Sequence, residues 1–215
     1  MRTLEYSSDV AFSPAVKAVQ EKRGSRAGYH AMERKGGWRT TITPELEGYI
    51  GERNSLFLAS ASADGQPYIQ HRGGPKGFVK LLDDRTLAFA DFSGNRQYIS
   101  EGNLSENGKA MLFLMDYRHR RRVKIWGTAE IVAADPALLA KLMPPEQFQD
   151  YPARPEQALI FHVTAWDTNC PQHIPLLLEA EEVAALLGAR DARIRELEAE
   201  LAAAKRVQAS REASA

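Results

Sequence analysis

Residues 70–78 read Gln70-His71-Arg72-Gly73-Gly74-Pro75-Lys76-Gly77-Phe78, and they join a strand-like pattern to a sharp bend. The preceding residues alternate with the period of two that is typical of a β-strand, and this alternation ends in two basic side chains. The glycines that follow leave backbone N–H groups uncovered, so an anion can approach them closely. The stretch therefore predicts the end of a strand followed by a phosphate-binding bend.

A second stretch of the same kind follows the next apolar run. It reads Asp91-Phe92-Ser93-Gly94-Asn95-Arg96-Gln97. Small residues form a turn here, and we expect a helix from about Asn95 to Gly102 whose N-terminal amides favour a bound anion. Two anion-binding stretches on adjacent strands indicate one ligand.

The period of two recurs across the middle of the chain. We predict strands at Ser55–Ala61, Pro67–Arg72, Gly77–Leu82, Thr86–Phe92, Ala110–Tyr117, Arg121–Ala133 and Ala158–Trp166. Short strands joined by local turns, such as the one at Ala63-Asp64-Gly65-Gln66, favour an antiparallel barrel over a parallel sheet. The predicted fold class is therefore mainly β (α+β), with flanking helices.

Helical patterns lie on both sides of the strand region. Ser13-Pro14, Thr43-Pro44 and Asp135-Pro136 are N-cap and first-turn pairs, and weaker helices are predicted over Tyr29–Lys35 and after Pro144. We expect the N-terminal helices to cover a barrel edge or to reach a neighbouring subunit.

The C-terminal segment has a different period. Steps of four and three residues connect Val183, Leu187, Arg190, Ile194, Leu197, Leu201 and Ala204. This spacing is typical of a short coiled coil, with Arg190 as a polar member of the apolar stripe. The chain thus divides into an N-terminal helical extension at 1–45, a barrel domain at 46–175 and a C-terminal helix at 176–215.

Four parts of the sequence resemble the FMN-binding split-barrel family related to pyridoxamine 5′-phosphate oxidase. They are the two anion-binding stretches, the strand Phe57–Ala61 before them and the later segment Arg121–Gly127. The resemblance covers about Leu46 to Pro175, and Trp166–Ile174 resembles a subgroup of related flavoproteins. It implies an antiparallel split barrel, a homodimer and FMN bound non-covalently in a cleft between the subunits. The Arg-x-His substrate motif of the true oxidase is not found near the C-terminus, which disfavours oxidation of pyridoxamine 5′-phosphate.

The resemblance also implies roles for individual residues. Arg72 with Lys76 would bind the phosphate, and Asn95 with Arg96 stands where the family has a Ser-Arg-Lys motif. Arg122 matches a position, usually glutamine, that reaches FMN. The full set of expected cofactor-binding residues is Gln70, His71, Arg72, Lys76, Gly77, Phe78, Asp91, Asn95, Arg96, Gln97, Arg122, Trp166, Asn169, Cys170, Gln172 and His173.

Several of these residues have a plainer interpretation. Gln70 and His71 would hydrogen-bond the flavin ring or ribityl chain, or His71 is a surface histidine. Trp166, Gln172 and His173 would stack on the flavin and bind substrate, while a nucleophilic Cys170–His173 pair is disfavoured because the loop does not fix their orientation. No residue stands out as a catalytic acid or base.

The basic run Arg118-His119-Arg120-Arg121-Arg122 is the densest in the chain. It lacks interleaved aromatic residues for stacking on bases, so we predict a hairpin tip rather than a nucleic-acid site. Trp126, which follows it, is predicted to be a barrel or dimer-interface residue.

Composition limits the remaining possibilities. The 215 residues carry 28 basic and 28 acidic side chains, so the formal net charge is zero and does not favour nucleic acid or an anionic membrane. The sequence contains no apolar run long enough to span a bilayer, and its first residues lack the apolar core of a signal peptide. We therefore expect a cytoplasmic protein. The single cysteine excludes an intrachain disulfide, and no metal site is predicted.

The resemblance, together with the two anion-binding stretches, implies an FMN-dependent oxidoreductase that exchanges electrons or hydride with an unidentified small molecule or electron acceptor. One alternative is the same fold with a deazaflavin or a haem-derived ligand. The other is a non-catalytic cofactor-binding or adaptor protein whose C-terminal helix recruits a partner.

Overall fold

A computed structural model of the chain describes residues 5–168 and 171–212. These residues form two compact units. The larger unit contains every strand and the helices before residue 174, and the smaller unit contains residues 117–119 and the C-terminal helix.

Among the described residues, the strands are β1 (Ser55–Ala61), β2 (Pro67–Gly73), β3 (Lys80–Asp83), β4 (Thr86–Phe92), β5 (Lys109–Asp116), β6 (Arg121–Val132) and β7 (Pro155–Thr168). The α-helices are α1 (Pro14–Lys22), α2 (Arg26–Arg34), α3 (Pro44–Gly51), α4 (Ile99–Glu106), α5 (Pro136–Leu142), α6 (Pro145–Phe148) and α7 (Ala180–Glu212). As predicted, Ser13, Thr43 and Asp135 cap the first turns of α1, α3 and α5 through their side chains.

Within the described part of the chain, the strands form one seven-stranded sheet in the order β2-β1-β5-β6-β7-β4-β3. Every neighbouring pair is antiparallel. β2 is at one end of this order and β4 is next to the other end, yet a salt bridge joins the two strands, so the sheet curls back on itself. The predicted mainly-β antiparallel barrel, with its flanking helices and long C-terminal helix, is confirmed.

The hydrophobic core follows the alternation of the strands. In β5, Leu112 and Leu114 point into the core, while Met111 and Phe113 lie on the outer face and are partly exposed. β4 is different because it is buried on both faces, from Thr86 through Asp91. A charged residue in such a strand needs a partner within the protein.

A glycine allows β6 and β7 to pair closely. The register between them shifts at Trp126 and Gly127. A Cβ atom on Gly127 would lie 2.0 Å from the carbonyl oxygen of His162, so no other residue fits here without moving the backbone. With this shift, β6 pairs with β7 on both sides of the irregularity, from Val123 to Val132.

Two predicted boundaries next to the anion-binding stretches were wrong. β3 begins at Lys80 rather than Gly77, because Gly77 has a φ of 71° and its N–H donates to the carbonyl of Arg53. α4 begins at Ile99 rather than Asn95, because Arg96 and Tyr98 have left-handed backbone conformations that a helix does not tolerate. The bends are therefore longer than their sequences predicted.

Other predicted boundaries were close. The last strand extends further than predicted, to Pro155 and Thr168, and the basic run forms the expected hairpin turn between β5 and β6. No helix in residues 5–168 and 171–212 combines the length and the apolar character that crossing a membrane requires.

Candidate functional site

An ion pair joins Arg72 of β2 to Asp91 of β4. Arg72 Nη1 lies 2.5 Å from Asp91 Oδ1. The other carboxylate oxygen of Asp91 accepts a hydrogen bond of 3.3 Å from Gln157 Nε2 of β7. Within the described residues, the buried Nε of Arg72 has no hydrogen-bond partner. The guanidinium therefore retains a donor that an anion would satisfy.

The surroundings of this pair are acidic. Burial raises the pKa of Asp91, while the neighbouring Arg72 and the hydrogen bond from Gln157 oppose the increase without cancelling it. The charges of Glu156 and Glu101 raise the pKa of Asp91 further. Asp91 is thus in contact with one cation, Arg72, and shares the lining of a cavity with two other carboxylates, Glu101 and Glu156.

The loop that follows β4 carries strained backbone. Arg96 has a φ of 59° and Tyr98 has a φ of 51°. Left-handed conformations of such residues cost on the order of 1–3 kcal/mol each, and they persist where the surroundings impose them. Here Asn95 Oδ1 accepts a hydrogen bond from the Gln97 N–H at 3.3 Å, and the Tyr98 hydroxyl donates to Glu156 at 3.3 Å. The loop is held in one shape and exposes the side chain of Arg96.

Two cavities share Arg72, Asp91 and Phe92. The smaller has a volume of about 50 Å³ and the larger about 340 Å³. Their other lining residues include Gln70, Asn95, Arg96 and Ser100 in the smaller cavity and His71, Phe78, Ser93 and Tyr151 in the larger. We call the two cavities together the Arg72 cleft. Residues from both predicted anion-binding stretches line it.

Gln70 and His71 occupy different faces of β2 beside this cleft. Gln70 points inward, and its Oε1 accepts a hydrogen bond of 2.8 Å from the Ser100 hydroxyl at the start of α4. His71 is exposed and packs edge-to-face on Phe57, with ring centroids 5.8 Å apart. The amide nitrogen of Gln70 and the imidazole of His71 remain polar groups at the cleft.

The next residues of the first stretch have mainly structural contacts. Lys76 is exposed, and its backbone carbonyl accepts a hydrogen bond from the amide of Gln147. Phe78 is buried at 2% exposure and packs edge-to-face on Phe89, although it also lines the larger cavity. The Lys76 side chain is not among the residues that line the Arg72 cleft.

Arg122 lies on the outward face of β6, next to Met115 of β5. Its Nε atom is buried and, among the described residues, lacks a hydrogen-bond partner. Because Arg72 points to the inner side of its strand, a single chain does not bring Arg122 to the Arg72 cleft.

The described residues at and after the end of β7 that were expected to bind the flavin do not form one group in the structure. Trp166 is 5% exposed, and its indole N–H donates to the carbonyl of Thr41 at 2.8 Å. Gln172 and His173 are exposed, and His173 has a φ of 61°. Asn169 and Cys170, which were expected to belong to this group, lie outside the described residues.

Trp166 lines a separate cavity of about 690 Å³. Trp38, Trp126, Phe12 and Tyr29 also line it, and we call it the aromatic cavity. The rings of Trp38 and Trp126 are stacked, with centroids 4.6 Å apart and an interplanar angle of 9°. In a single chain, the aromatic plane predicted to stack on the flavin therefore lies in a different cavity from the phosphate-binding residues.

Sequence reasoning missed several partners. Gln157, Glu101 and Tyr98 line the smaller cavity, and none of them was expected there. The contact of Gln157 with Asp91 had one indication in the sequence, which is Asp91 itself. A carboxylate in an otherwise apolar strand requires hydrogen-bond donors from elsewhere in the protein. Trp38 lies on an N-terminal loop, and no local pattern predicts that it stacks on β6. Across residues 5–168 and 171–212, no group of three or more His, Cys, Asp or Glu side chains could hold a metal ion.

A profile of the family described as pyridoxamine 5′-phosphate oxidase matches residues 42–170, which is more than half of the chain. The chain belongs to this family. The matched region contains all strands of the barrel and the residues of the Arg72 cleft. Family membership agrees with the resemblance carried by the two anion-binding stretches.

Solved structures also resemble this chain. HupZ of Group A Streptococcus has 23% sequence identity and a TM-score of 0.47, over 64% of this chain and 99% of that one. An FMN-binding protein from Syntrophomonas wolfei subsp. wolfei has 13% identity and a TM-score of 0.42, over 77% and 99%. An F420 reductase has 20% identity and a TM-score of 0.42, over 58% and 98%. Similarities at this level do not indicate what this chain binds, and no curated protein matches it significantly.

Proposed function

We propose that this protein is a homodimeric flavoprotein that binds FMN non-covalently and exchanges electrons or hydride with a small molecule. One observation carries the proposal: among the residues that the structure describes, the buried Arg72 Nε has no acceptor, and it lies in the cleft that the exposed Arg96 also lines. A phosphate group would supply that acceptor, and the guanidinium groups of Arg72 and Arg96 would offset its charge although Asp91, Glu101 and Glu156 line the same cavity. Membership of the pyridoxamine 5′-phosphate oxidase family supports the same ligand.

Each lining residue has a role in this proposal. Arg72 and Arg96 hold the phosphate, and Asn95 keeps the intervening loop in place through its hydrogen bond to the Gln97 N–H. Asp91 orients Arg72, so the guanidinium does not need to be ordered when the ligand binds. Gln70 and His71 supply hydrogen bonds to the remainder of the cofactor.

The larger cavity combines aromatic side chains with the polar residues His71, Arg72 and Asp91. Phe78, Phe92 and Tyr151 line it, and its volume of about 340 Å³ lies within the range of roughly 300–1,000 Å³ that is usual for ligand sites. When bound, FMN supplies the redox chemistry, while the chain supplies anchoring and orientation.

The homodimer is part of the proposal. The outward faces of β1 and β2 expose Phe57 at 38% and Ile69 at 65%, and the register continues this apolar surface through Met111 and Phe113 of β5. An apolar sheet face of this kind is typical of a surface that a partner covers. Arg122 lies on the same outer surface, on β6. In a homodimer formed through this surface, Arg122 of one copy would lie near the ligand of the other copy.

The experiment is to record the absorption spectrum of the purified protein and to identify any released chromophore by mass. Titration of the apoprotein with FMN and with riboflavin then tests the phosphate site, and we expect FMN to bind much more tightly. Equal affinities for the two would remove the phosphate assignment. A deazaflavin or haem-derived mass would replace FMN as the ligand.

Activity needs its own measurement. Stopped-flow absorbance of the bound flavin, with nicotinamide donors and quinone acceptors, is expected to show reduction and reoxidation. The variant Gln172→Ala/His173→Ala should keep FMN bound while slowing one of these steps, if those side chains contact the substrate. A flavin that no donor reduces would favour the non-catalytic binding protein over the enzyme.

A further inference from the structure

The long C-terminal helix α7 exposes an apolar stripe that is interrupted once, at Arg190. Its 33 residues from Ala180 to Glu212 include Val183, Leu187, Ile194, Leu197 and Leu201, which follow alternating steps of four and three when Arg190 is counted with them. Each of these side chains is between 39% and 56% exposed. In water, such a stripe on a helix is stabilised when a second helix covers it.

The spacing assigns heptad positions to the stripe. Leu187, Ile194 and Leu201 occupy the a positions, and Val183, Arg190 and Leu197 occupy the d positions. The flanking g positions then hold Arg193 and Glu200, and the flanking e positions hold Asp191, Glu198 and Lys205. These flanking charges determine which partner and which orientation the stripe accepts.

The flanking charges match a second copy of the same helix in parallel orientation. In a parallel pair, each g residue faces the e residue five positions later on the other helix. Arg193 therefore faces Glu198, and Glu200 faces Lys205, each in both directions across the pair. Every one of these contacts joins opposite charges.

An antiparallel pair is less favourable. Residues at g then face g, and residues at e face e. When the pair is centred between Ile194 and Leu197, Arg193 still faces Glu200, but Asp191 faces Glu198 and two like charges meet in both directions. The charge pattern thus separates the two orientations.

Arg190 fixes the alignment of the helices. In the parallel pair, the two Arg190 side chains occupy one layer and repel each other, and Asp191 of the other helix lies next to each of them and offsets this repulsion. A shift by one heptad would place one Arg190 beside Leu197 and Glu198 and the other beside Val183 and Ala184, where no flanking carboxylate offsets its charge. A polar residue in the stripe commonly sets register in this way at a cost in stability.

Contacts within the single helix do not prevent this pairing. Arg193 forms ion pairs with Glu196 at 2.8 Å and with Glu200 at 3.7 Å. These side chains are 58–66% exposed, and ion pairs at such exposure contribute little and rearrange easily. The guanidinium can therefore turn to a partner helix.

We propose that α7 forms a parallel, in-register, two-stranded coiled coil with α7 of a second copy of this chain. The interaction is independent of FMN and goes beyond the proposed redox function. It makes the C-terminal helix a self-association element rather than a docking site for another protein.

Site-directed disulfide formation in the full-length chain tests this proposal. In a Cys170→Ser background, Ile194→Cys places one thiol at an a position, which faces its own copy only in a parallel, in-register pair. Ala199→Cys is the matched control, because position 199 lies on the opposite side of the same turn. Under mild oxidation we expect Ile194→Cys to form covalent dimers at least roughly tenfold faster than Ala199→Cys, since disulfides require closely spaced Cβ atoms.

Two results would overturn the proposal. One is equal crosslinking of the two variants. The other is crosslinking of Ile194→Cys only after mixing with Leu197→Cys, which would indicate antiparallel helices.

Charge reversal gives a second measurement on the same full-length chain. Arg193→Glu and Glu198→Arg should each slow crosslinking through Ile194→Cys, and the double variant should restore the rate. Because the double variant keeps the helix composition, restoration cannot come from a change in helix propensity. If the double variant is slower than either single variant, the assigned pairing is wrong.

Discussion

Arg72 and Asp91 are in contact at 2.5 Å although their strands are not neighbours in the sheet. β2 ends the sheet order on one side, and β4 is the last strand but one on the other. The same ion pair therefore holds the curled sheet together and presents the guanidinium that we propose binds phosphate. If the proposed site is correct, stability and phosphate binding depend on the same side chain, Arg72.

The first prediction concerns the strength of this ion pair. The side chains of Arg72 and Asp91 are only 15% and 9% exposed, so removing one partner leaves a charge that is largely buried. We expect Asp91→Asn or Arg72→Gln to lower the free energy of unfolding by roughly 3 kcal/mol, and the double variant to cost clearly less than the sum. Urea denaturation of the four proteins measures the coupling.

The matched control is the exposed pair of Arg121 and Glu45, whose atoms are 3.3 Å apart and whose side chains are 47% and 60% exposed. Its coupling should be below about 1 kcal/mol, as is usual at the surface. Additive effects at Arg72 and Asp91 would show that the pair does not join the two ends of the sheet in solution.

The second prediction concerns the exposed cation of the Arg72 cleft. Arg96→Ala should weaken FMN binding roughly 10- to 100-fold, because one charge-assisted hydrogen bond is worth about 1.5–3 kcal/mol. Riboflavin binding should change little, since riboflavin has no phosphate. Quenching of flavin fluorescence on titration gives both affinities.

Lys76→Ala is the control for Arg96→Ala. Both side chains are exposed cations, but Lys76 does not line the cleft. An equal loss of FMN affinity in the two variants would indicate a general charge effect and would place the phosphate elsewhere.

The third prediction concerns assembly. A chain that lacks Glu179–Ala215 should remain a dimer, because the apolar outer faces of β1, β2 and β5 are intact. Adding Ile69→Asp to this shortened chain should give monomers, since Ile69 is 65% exposed and its replacement does not disturb the core. Light scattering distinguishes the two states. A shortened chain that is already monomeric would show that α7 alone joins the subunits.

The fourth prediction concerns stability at alkaline pH. Tyr49 is buried, its hydroxyl donates to the carbonyl of Leu114 at 3.1 Å, and burial raises the pKa of Tyr49 to about 12. Tyrosine in the unfolded chain titrates near pH ~10, so the folded state retains a proton that the unfolded state loses. The stabilising contribution is thus complete below pH ~10 and disappears as the pH rises through about 12, and it is on the order of 2 kcal/mol.

Tyr49→Phe should therefore flatten the decrease in unfolding free energy across this alkaline range. Urea denaturation at increasing pH measures the slope for both proteins. Tyr29→Phe, at a residue that is 42% exposed, is the control and should leave the slope unchanged. If Tyr49→Phe also leaves it unchanged, the hydroxyl is accessible to solvent in the folded protein.

Local patterns were sufficient to predict the barrel. Period-two alternation, turn residues and N-cap pairs are determined within a few residues, and they placed most of the described strands and helices close to their observed bounds. The starts of β3 and α4 were not predicted, because the conformations of Gly77, Arg96 and Tyr98 depend on surrounding structure.

The composition of the cleft was predicted better than its contacts. Arg72, Asp91, Asn95 and Arg96 were all expected near one ligand, and they line the same cavity. The pairing of Arg72 with Asp91 was not expected, because it depends on how far the sheet curls. The separation of Trp166 from this cleft has the same cause, since it depends on where the last strand runs relative to β2.

The stacked indoles of Trp38 and Trp126 also provide an intrinsic spectroscopic probe of the fold. Aromatic rings stacked at this separation couple their electronic transitions, and the coupling produces paired bands of opposite sign in the circular dichroism spectrum when the two transition dipoles are rotated relative to each other about the stacking axis. Trp38 belongs to the segment before the barrel and Trp126 to its wall, so the paired bands report whether that segment is seated on β6. Detachment of the N-terminal helices could thus be followed in real time without any added label.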